Sequence, residues 1–514
     1  MLLFVLLIAL LNAELVEYTL NIEYKWMKIG EVSKSVICVN GLNVGPVIRC
    51  NKGDTLKINI FNNLWDKGLT IHYHGMTMRK TPWMDGVPFV TECPLQTNTN
   101  KTYEFVTDDS GTFWYHGHVE MQRDDAFYGA LIVDELNPFV KYDEEYIVMI
   151  SDFYEQYSEE LVQMLTSDDF HWPGAPKTLL VNGMDNFNIS VNYDKTYLIR
   201  FISVTTHSYL NISIPGHNIT IVEVEGTYTN LFNTSNIWIN SGERYTVLLH
   251  ASNPGCYFIN ISSMSDPINI LMGLVYDKID CNNSNFVSSI NNNFFDTSLL
   301  TNKYHHELPK PNRNLSIFMN VHTVNENGRT FTFNNVSFIF PTIPILLSYY
   351  LGNYVPNNRT LIINVDPGDV IDIELINDSK FQHSFHLHLH SFYVLNSHNP
   401  IKRDTVTIEN GKKVTIRVLF DNPSITLTHC HSEFHVILHL IMIFAYPANT
   451  IPKPDDNFEI CGKTFHEIKQ KQYLIDIIYS LASIIIVMLI LSIIILIVVY
   501  KKKRLDEERL RLIV

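Results

Sequence analysis

The chain has 514 residues, of which 46% are apolar and 18% charged, and its formal net charge is −15 at neutral pH. This length allows about three domains of ~150 residues, each with a substantial core. The excess of acidic residues argues against nucleic acid as a partner, because a polyanion would be repelled.

The chain begins with a short apolar run, residues 1–13, that ends in a small residue. This run is too short to span a bilayer and is typical of a secretory signal peptide, although the charged region that normally precedes one is missing. It predicts that the rest of the chain enters the secretory pathway.

Short β-rich runs separated by turn residues follow, and they predict an all-β fold of sandwiches. The phrases N-K-G-D-T-L-K-I from Asn51 and D-P-G-D-V-I-D-I from Asp366 look like one turn and strand used twice, which indicates a long internal repeat. The best helix candidate is S-E-E-L-V-Q-M-L, and the Asn- and Ser-rich segment 282–303 is a predicted linker. We therefore predict domains at 14–135, 136–300 and 301–460.

Ten of the 21 histidines fall in four tight clusters. The clusters are His72/His74, His116/His118, His383/His386/His388 and His429/His431/His435. A His-x-His spacing on a strand places both imidazoles on one face, because side chains alternate with a period of two. Four converging pairs would supply eight nitrogen ligands, which suits a cluster of borderline metal ions such as copper.

The fourth cluster contains a cysteine, Cys430, between His429 and His431. On a strand this thiolate faces away from its two neighbours, so it can bind a separate copper together with His383 and His435. The peptide backbone would then connect the two metal sites and provide a route for electrons. Two alternatives explain less. A single His-x-His pair is usually accidental, but four pairs are not, and a zinc site needs about four ligands and would leave the remaining histidine pairs unexplained.

Near its other end the chain has 23 uncharged residues, 477–499, followed by a basic tetrad, 501–504. The uncharged segment is long enough to span a bilayer, and the tetrad places the tail, 500–514, in the cytoplasm. We therefore predict a single-pass type I membrane protein with an extracellular or lumenal body. Eleven Asn-x-Ser/Thr sequons and an odd number of cysteines, seven, fit an oxidising compartment.

The order and spacing of several phrases resemble the multicopper oxidases, a family that includes laccases, ascorbate oxidases and membrane-bound ferroxidases. The resemblance covers residues 35–445 and is carried by H-Y-H-G, W-M-D-G, V-T-E-C-P, G-T-F-W-Y-H-G-H, H-S-F-H-L-H-L-H, R-D-T-V and H-C-H-S-E-F-H. It implies three cupredoxin-like Greek-key domains, with four copper ions held by the first and third. These ions would be one type 1 copper, one type 2 copper and a type 3 pair.

The resemblance also assigns residues to each copper. His72 and His386 would bind the type 2 copper. The type 3 pair would be held by His74, His116, His118, His388, His429 and His431. The type 1 site would be formed by His383, Cys430 and His435, with a non-coordinating Leu440 in the axial position.

Two acids, Asp85 and Glu433, match family residues that supply protons for the reduction of dioxygen. Five residues depart from the family pattern without removing a ligand. They are Ser384, Leu389, Ser432, Phe434 and His439, of which Leu389 and His439 stand where the family has Gly. We interpret His390 and His439 as histidines that do not bind metal.

The resemblance implies a disulfide between Cys93 and Cys461. The remaining local pairings, Cys38 with Cys50 and Cys256 with Cys281, are predicted from proximity in the sequence.

For the electron donor, two residues are candidates. His207 aligns with an acid that contacts phenols in fungal laccases, and Asp378 lies within one position of an acid that binds Fe(II) in ferroxidases. Three hypotheses follow: a laccase-like oxidase of phenols, diamines or ascorbate that reduces dioxygen to water, a cell-surface ferroxidase or cuprous oxidase, and a non-catalytic copper-binding or adhesion protein. The sequence leaves open whether a metal permease is a partner.

Overall fold

The computed structural model of the chain describes residues 13–281, 286–323, 328–352 and 359–511. The predicted signal peptide therefore lies outside the described residues except for Ala13. Within the described ranges, six large sheets form three successive pairs, which confirms the predicted all-β class with cupredoxin-like domains. The chain divides into two compact units, Met1–Lys453 and Pro454–Val514.

The first pair of sheets has the strand orders β2-β1-β4-β6 and β3-β8-β7-β5. The strands are β1 (Leu15–Ile29), β2 (Val32–Val39), β3 (Gly45–Asn51), β4 (Thr55–Asn62), β5 (Ile71–His74), β6 (Asn100–Val106), β7 (Gly111–Gly117) and β8 (Tyr128–Asp134). The second of these sheets carries the first two histidine clusters.

The second pair has the orders β10-β9-β12-β17-β14-β15 and β11-β19-β18-β13-β16. The strands are β9 (Glu144–Phe153), β10 (Thr178–Val181), β11 (Asn188–Val191), β12 (Thr196–Ser203), β13 (Leu210–Ser213), β14 (Ile219–Val224), β15 (Thr227–Thr234), β16 (Asn236–Ile239), β17 (Arg244–His250), β18 (Cys256–Ser263) and β19 (Asn269–Tyr276). Its core packs Val148 and Ile199 of one sheet with Ile212 and Ile259 of the other.

The third pair has the orders β21-β20-β23-β28-β25-β26 and β22-β30-β29-β24-β27. The strands are β20 (Arg313–Thr323), β21 (Arg329–Phe333), β22 (Ile362–Asn364), β23 (Asp369–Asn377), β24 (His383–Leu387), β25 (Phe392–Val394), β26 (Lys402–Arg403), β27 (Thr405–Ile408), β28 (Lys413–Phe420), β29 (Ile425–Cys430) and β30 (Ile441–Ala445). The central strands β24 and β29 carry the other two histidine clusters.

The predicted internal repeat is present in atomic detail. The parallel pairings of β1 with β4 and of β20 with β23 correspond, and β9 with β12 repeats them in the middle domain. Gly53 and Gly368 both adopt a φ of +94°, which the following strand requires and which favours glycine. The next residue in each turn, Asp54 or Asp369, accepts a backbone N–H from the residue three positions before it, at 2.8 and 3.0 Å.

Helices are short in the first compact unit. The predicted helix forms α1 (Ser158–Thr166), which buries Leu161 and Leu165, one turn apart on one face. The others are α2 (Ile345–Tyr350) and α3 (Glu433–Ile437).

The cysteines follow the predictions in part. Cys256 and Cys281 form a disulfide, and Cys93 and Cys461 are both disulfide-bonded. The predicted Cys38–Cys50 bridge is wrong, because both are free, buried thiols. Cys38 lies on β2 and Cys50 on β3, so they belong to different sheets. The chain passes from one sheet to the other between them, although they are close in the sequence.

Three of the eleven sequon asparagines are inaccessible in the folded protein. Asn211, Asn260 and Asn377 are buried, at 0%, 2% and 0% exposed, and cannot carry glycans in the folded protein. Asn282 and Asn358 lie outside the described residues.

The second compact unit contains the short strands β31 (Glu459–Ile460) and β32 (Lys463–Thr464) and the helix α4 (Phe465–Arg511). The segment 465–505 of α4 is long and apolar enough to cross a membrane, and its most apolar part is not buried at all. Side chains such as Ile495 and Leu496 are 61% and 68% exposed, which suits contact with lipid and not a protein core.

Candidate metal centres

Two strand pairs bring the histidine clusters together. His72 on β5 lies directly opposite His116 on β7, and His386 on β24 lies opposite His429 on β29. His118, His388 and His431 follow the ends of these strands, so that each His-x-His pair continues on one face. The result is a cluster of eight imidazoles contributed by the first and third domains.

The eight rings are close enough to share ions. The ring centroids of His72 and His388 are 4.0 Å apart, and those of His74 and His386 are 3.8 Å apart. The Nε2 atoms of His388 and His429 are 3.0 Å apart. Two groups of nitrogen atoms join residues of both domains within 4.8 Å, namely His72/His386/His388 and His118/His388/His429.

The hydrogen bonds of the rings leave nitrogen lone pairs facing into this cluster. His72, His116 and His386 donate from Nδ1 to the carbonyl oxygens of Asp85, Gly117 and Asp404, at 2.8, 2.8 and 2.9 Å. Their buried Nε2 atoms have no hydrogen-bond partner among the described residues. A buried, unpaired nitrogen costs about 1–3 kcal/mol, and a metal ion would remove that cost.

His74 is arranged the other way round. Its Nε2 lies 3.0 Å from both Asp404 Oδ1 and Thr405 Oγ1, and its Nδ1 is the nitrogen without a partner in the described structure. Burial lowers the pKa of His429 to about 3 and also lowers the pKa values of His74, His116, His118, His386, His388 and His431. These seven rings are therefore neutral at physiological pH, as metal binding requires. The donor set fits copper.

A second, smaller group lies on the opposite face of β29. His383 Nδ1 and Cys430 Sγ are 3.1 and 3.2 Å from His435 Nδ1, and all three residues are completely buried. Burial raises the pKa of the Cys430 thiol to about 12, so binding a metal there must release its proton. Leu440 is buried next to this group, since its backbone hydrogen-bonds to both Cys430 and His435.

Both predicted acids lie at the larger cluster. Asp85 is fully buried, with Oδ1 3.3 Å from His72 Nδ1 and Oδ2 3.1 Å from His388 Nδ1. Glu433 Oε1 is 3.2 Å from Arg123 Nε, and burial raises the pKa of Glu433 to about 8. Glu433 therefore holds a proton at neutral pH.

A cavity of about 330 Å³ reaches the eight-histidine cluster from the side of α1. It is lined by apolar side chains such as Phe89, Phe340 and Val436, and also by His118 and Glu433. A small molecule can therefore reach the histidines without passing the cysteine site.

The surroundings of His435 are aromatic. His207 stacks on Phe434 with a centroid distance of 5.3 Å and lies 5.5 Å from the His435 ring. Trp172 lies 5.3 Å from His207 and 6.3 Å from His435. Burial lowers the pKa of His207 to about 4, so its ring is neutral.

Asp378 is placed differently. It is exposed next to Ser379, whose Oγ lies 2.7 Å from His383 Nε2, and no described contact joins Asp378 itself to His383 or His435. The structure thus brings His207, but not Asp378, against the cysteine site.

The departures from the family pattern have local explanations. Leu389 and His439, which stand where the family has Gly, adopt φ values of +58° and +76°. The backbone keeps the left-handed conformation despite the side chains, at some cost in strain. Ser432 hydrogen-bonds to His207, with its Oγ 2.9 Å from Nδ1.

Sequence reasoning missed several residues of the site. Asp404 was part of the quoted phrase R-D-T-V but received no role, although it contacts both His74 and His386. The sequence also contains no indication of a role for Trp172, Arg123 and Arg244. Their contacts at the site are made with residues far away in the chain, which the neighbouring sequence does not reveal.

The fold and the histidine pattern together define a copper-dependent oxidase. The multicopper oxidase family matches the chain at residues 21–138, 144–276 and 319–449, so the chain belongs to the multicopper oxidase family and is an oxidoreductase. Laccase-2 of Fomitopsis schrenkii is 31% identical over 83% of this chain and 89% of its own length, and the L-ascorbate oxidase of Cucumis sativus is 29% identical over 87% and 92%. The crystal structure of Fet3p, a multicopper oxidase that functions in iron import, superimposes with a TM-score of 0.79 at 26% identity, over 85% of this chain and 92% of that one.

Proposed function

We propose that the chain holds four copper ions and uses them to reduce dioxygen to water with electrons from a small organic donor. His72 and His386 would hold the type 2 copper, and the other six histidines of the cluster the type 3 pair. His383, Cys430 and His435 would hold the type 1 copper. The unpaired ring nitrogens of the cluster are the observation that carries this proposal.

Copper in these sites would accept single electrons from the donor and deliver four of them to dioxygen. The chain supports this chemistry in three ways. Cys430 is bonded through its backbone to His429 and His431, which gives electrons a short route between the sites. The cavity gives dioxygen access, and Glu433 and Asp85 supply and hold protons at the cluster.

The surroundings of His435 favour a planar organic donor, such as a phenol or an enediol. Trp172 and Phe381 offer apolar ring faces at a centroid distance of 5.5 Å from each other, and neutral His207 offers one ring nitrogen beyond its bond to Ser432. A ring held by stacking and one hydrogen bond would lie close to His435, where electrons enter.

Steady-state oxygen consumption by the detergent-solubilised full chain tests this proposal. We expect His207→Ala to raise the KM for a phenol or ascorbate about 10-fold, since a hydrogen bond and a ring contact are worth about 1–2 kcal/mol, and to leave the KM for Fe(II) unchanged. His250→Ala is the matched control, because His250 is an exposed histidine of the same domain. Equal effects on all donors, or none on any, would refute the assignment of His207.

One observation favours Fe(II) as an alternative donor. Asp266 has a buried carboxylate oxygen that lacks a hydrogen-bond partner among the described residues, and burial raises its pKa. The adjacent Ser265 accepts a hydrogen bond of 2.6 Å from Gln382, the residue before His383. Carboxylate oxygens suit Fe(II), so a KM for Fe(II) that rises selectively in Asp266→Asn would support a ferroxidase.

We also propose that α4 anchors the chain as a type I membrane protein, with the oxidase outside the cytoplasm. The apolar, exposed surface of α4 and the basic residues 501–504 support this orientation. Protease protection of a C-terminal tag in intact cells, with an accessible N-terminal tag inserted after residue 13, would test it.

A further inference from the structure

The second domain supplies none of the proposed copper ligands, yet its side chains meet the surroundings of the cluster, since Ser241 Oγ lies 3.0 Å from His431 Nδ1 and Arg244 pairs with Asp404. Arg244, at the start of β17, is 0% exposed and forms two parallel hydrogen bonds to Asp404, from Nη1 to Oδ1 and from Nη2 to Oδ2, both 2.6 Å long. Such a bidentate pair fixes the orientation of the carboxylate as well as its position.

The guanidinium itself is held firmly. Its Nε donates to Thr112 O of the first domain at 3.1 Å, and its Nη1 also donates to Gly242 O at 3.0 Å. The pair lies directly over Gly75, where a Cβ atom would come within 2.8 Å of Arg244 Nη2 and 2.9 Å of Asp404 Oδ2. The glycine of the H-Y-H-G phrase is therefore needed to admit this ion pair.

Asp404 in turn contacts two histidines from different domains. Its Oδ1 lies 3.0 Å from His74 Nε2, and its carbonyl oxygen accepts Nδ1–H of His386 at 2.9 Å. The carboxylate can only accept from His74, so His74 carries its proton on Nε2 and directs its lone pair, on Nδ1, into the cluster. This hydrogen bond explains why His74 directs Nδ1 into the cluster, whereas His72, His116 and His386 direct Nε2 there.

We propose that Arg244 is a positioning residue that holds the carboxylate of Asp404 in the orientation that sets the tautomer of His74, next to the Asp404 carbonyl that accepts from His386. The second domain thereby controls whether the trinuclear copper site can assemble. This inference rests on the ligand roles proposed above for His74 and His386.

The alternative role for Arg244 is only to join domains. Without Arg244 the buried charge of Asp404 would lose its partner, and the carboxylate would turn towards any other donor it can reach. A short lysine cannot restore the fork, because an ammonium group is a single point charge. Arg244→Lys therefore keeps the positive charge and removes the bidentate hydrogen bonding, so it tests the geometry by itself.

The test measures copper per chain, the type 2 electron paramagnetic resonance signal and the type 1 visible band in the full chain. We expect Arg244→Lys to lower the affinity for the type 2 and type 3 copper ions about 10–100-fold while the type 1 band is kept. Asp404→Leu should show the same pattern. Arg200→Lys is the matched control, since Arg200 is a buried arginine of the same domain that pairs with Glu145 and Glu223 and has no described contact with Asp404 or a histidine of the cluster.

The outcomes are distinguishable. A wild-type chain that binds no copper would overturn the proposed function itself. A wild-type chain with four copper ions and an Arg244→Lys variant with the same stoichiometry and an unchanged type 2 signal would overturn this inference alone. Loss of the type 1 band in Arg244→Lys, or equal loss in Arg200→Lys, would show a general structural role and would also overturn it.

Discussion

His207 Nδ1 and Ser432 Oγ lie 2.9 Å apart, and this contact joins the second domain to the segment between Cys430 and His435. Ser432 is one of the departures from the family pattern, and His207 stands where fungal laccases have an acid. The hydrogen bond orients the His207 ring against Phe434 and next to His435, where an electron donor would dock.

Removing the hydroxyl group of Ser432 should affect donor binding without affecting the reduction of dioxygen. We expect Ser432→Ala to raise the KM for a phenol about 3–10-fold, since one hydrogen bond contributes about 1 kcal/mol, and to leave kcat within twofold. Oxygen-electrode kinetics at saturating dioxygen would measure both constants. A lower kcat with an unchanged KM would contradict a role in positioning His207.

Glu433 should limit proton supply to the eight-histidine cluster. Because its pKa is raised to about 8, it holds a proton at neutral pH, which glutamine cannot transfer. We expect Glu433→Gln to lower kcat about 100-fold while anaerobic reduction of the type 1 copper, followed by stopped-flow absorbance, keeps its rate. Glu120→Gln, an exposed carboxylate at the same cavity, serves as control and should behave like the wild type.

Asp124 should make stability depend on pH. Burial raises its pKa to about 7, above the value near 3.9 of an unfolded aspartate, despite the proximity of Lys34 at 3.5 Å. A carboxyl group with a raised folded-state pKa contributes stability below its unfolded pKa and loses that contribution as the pH rises towards 7. Asp124→Asn should therefore be more stable than the wild type at pH 8, by up to about 4 kcal/mol for a pKa difference of about three units, with the difference vanishing near pH 4.

Thermal unfolding of the two proteins across this pH range provides the measurement. Asp378→Asn, at an exposed position, is the control. A variant that is less stable than the wild type at pH 8 would show that the contacts of Asp124 with Lys34 and Thr206 outweigh the cost of burying its charge.

The cysteine pairing predicts a thiol count. Chemical labelling of the unfolded, unreduced and copper-free chain should find three free thiols, at Cys38, Cys50 and Cys430. A count of one free thiol would instead show that Cys38 and Cys50 form a disulfide. Replacing Cys256 and Cys281 by serine should add no further thiols and should destabilise the second domain by about 3 kcal/mol, since the bridge closes a loop of 25 residues.

Much of the geometry of the histidine clusters was predictable from the sequence because it depends on local spacing. A strand alternates its faces every residue, so H-x-H and H-C-H determine on their own which side chains share a face and which one faces away. Turn chemistry is equally local, and the repeated Gly-Asp turns before β4 and β23 adopt the same geometry in the structure. The class of fold and the family follow from such patterns.

The tertiary structure decided what depends on residues far apart in the chain. His74 Nε2 lies 3.0 Å from the carboxylate of Asp404, 330 positions later, and Asp404 is bound by Arg244 from the domain that supplies none of the eight histidines. Cys38 and Cys50 are close in the sequence but lie in different sheets. The sequence makes His207 and Asp378 equal candidates, but only His207 lies against His435. Local alternation determines which way a side chain points from its own strand, whereas the packing of domains determines what it meets there.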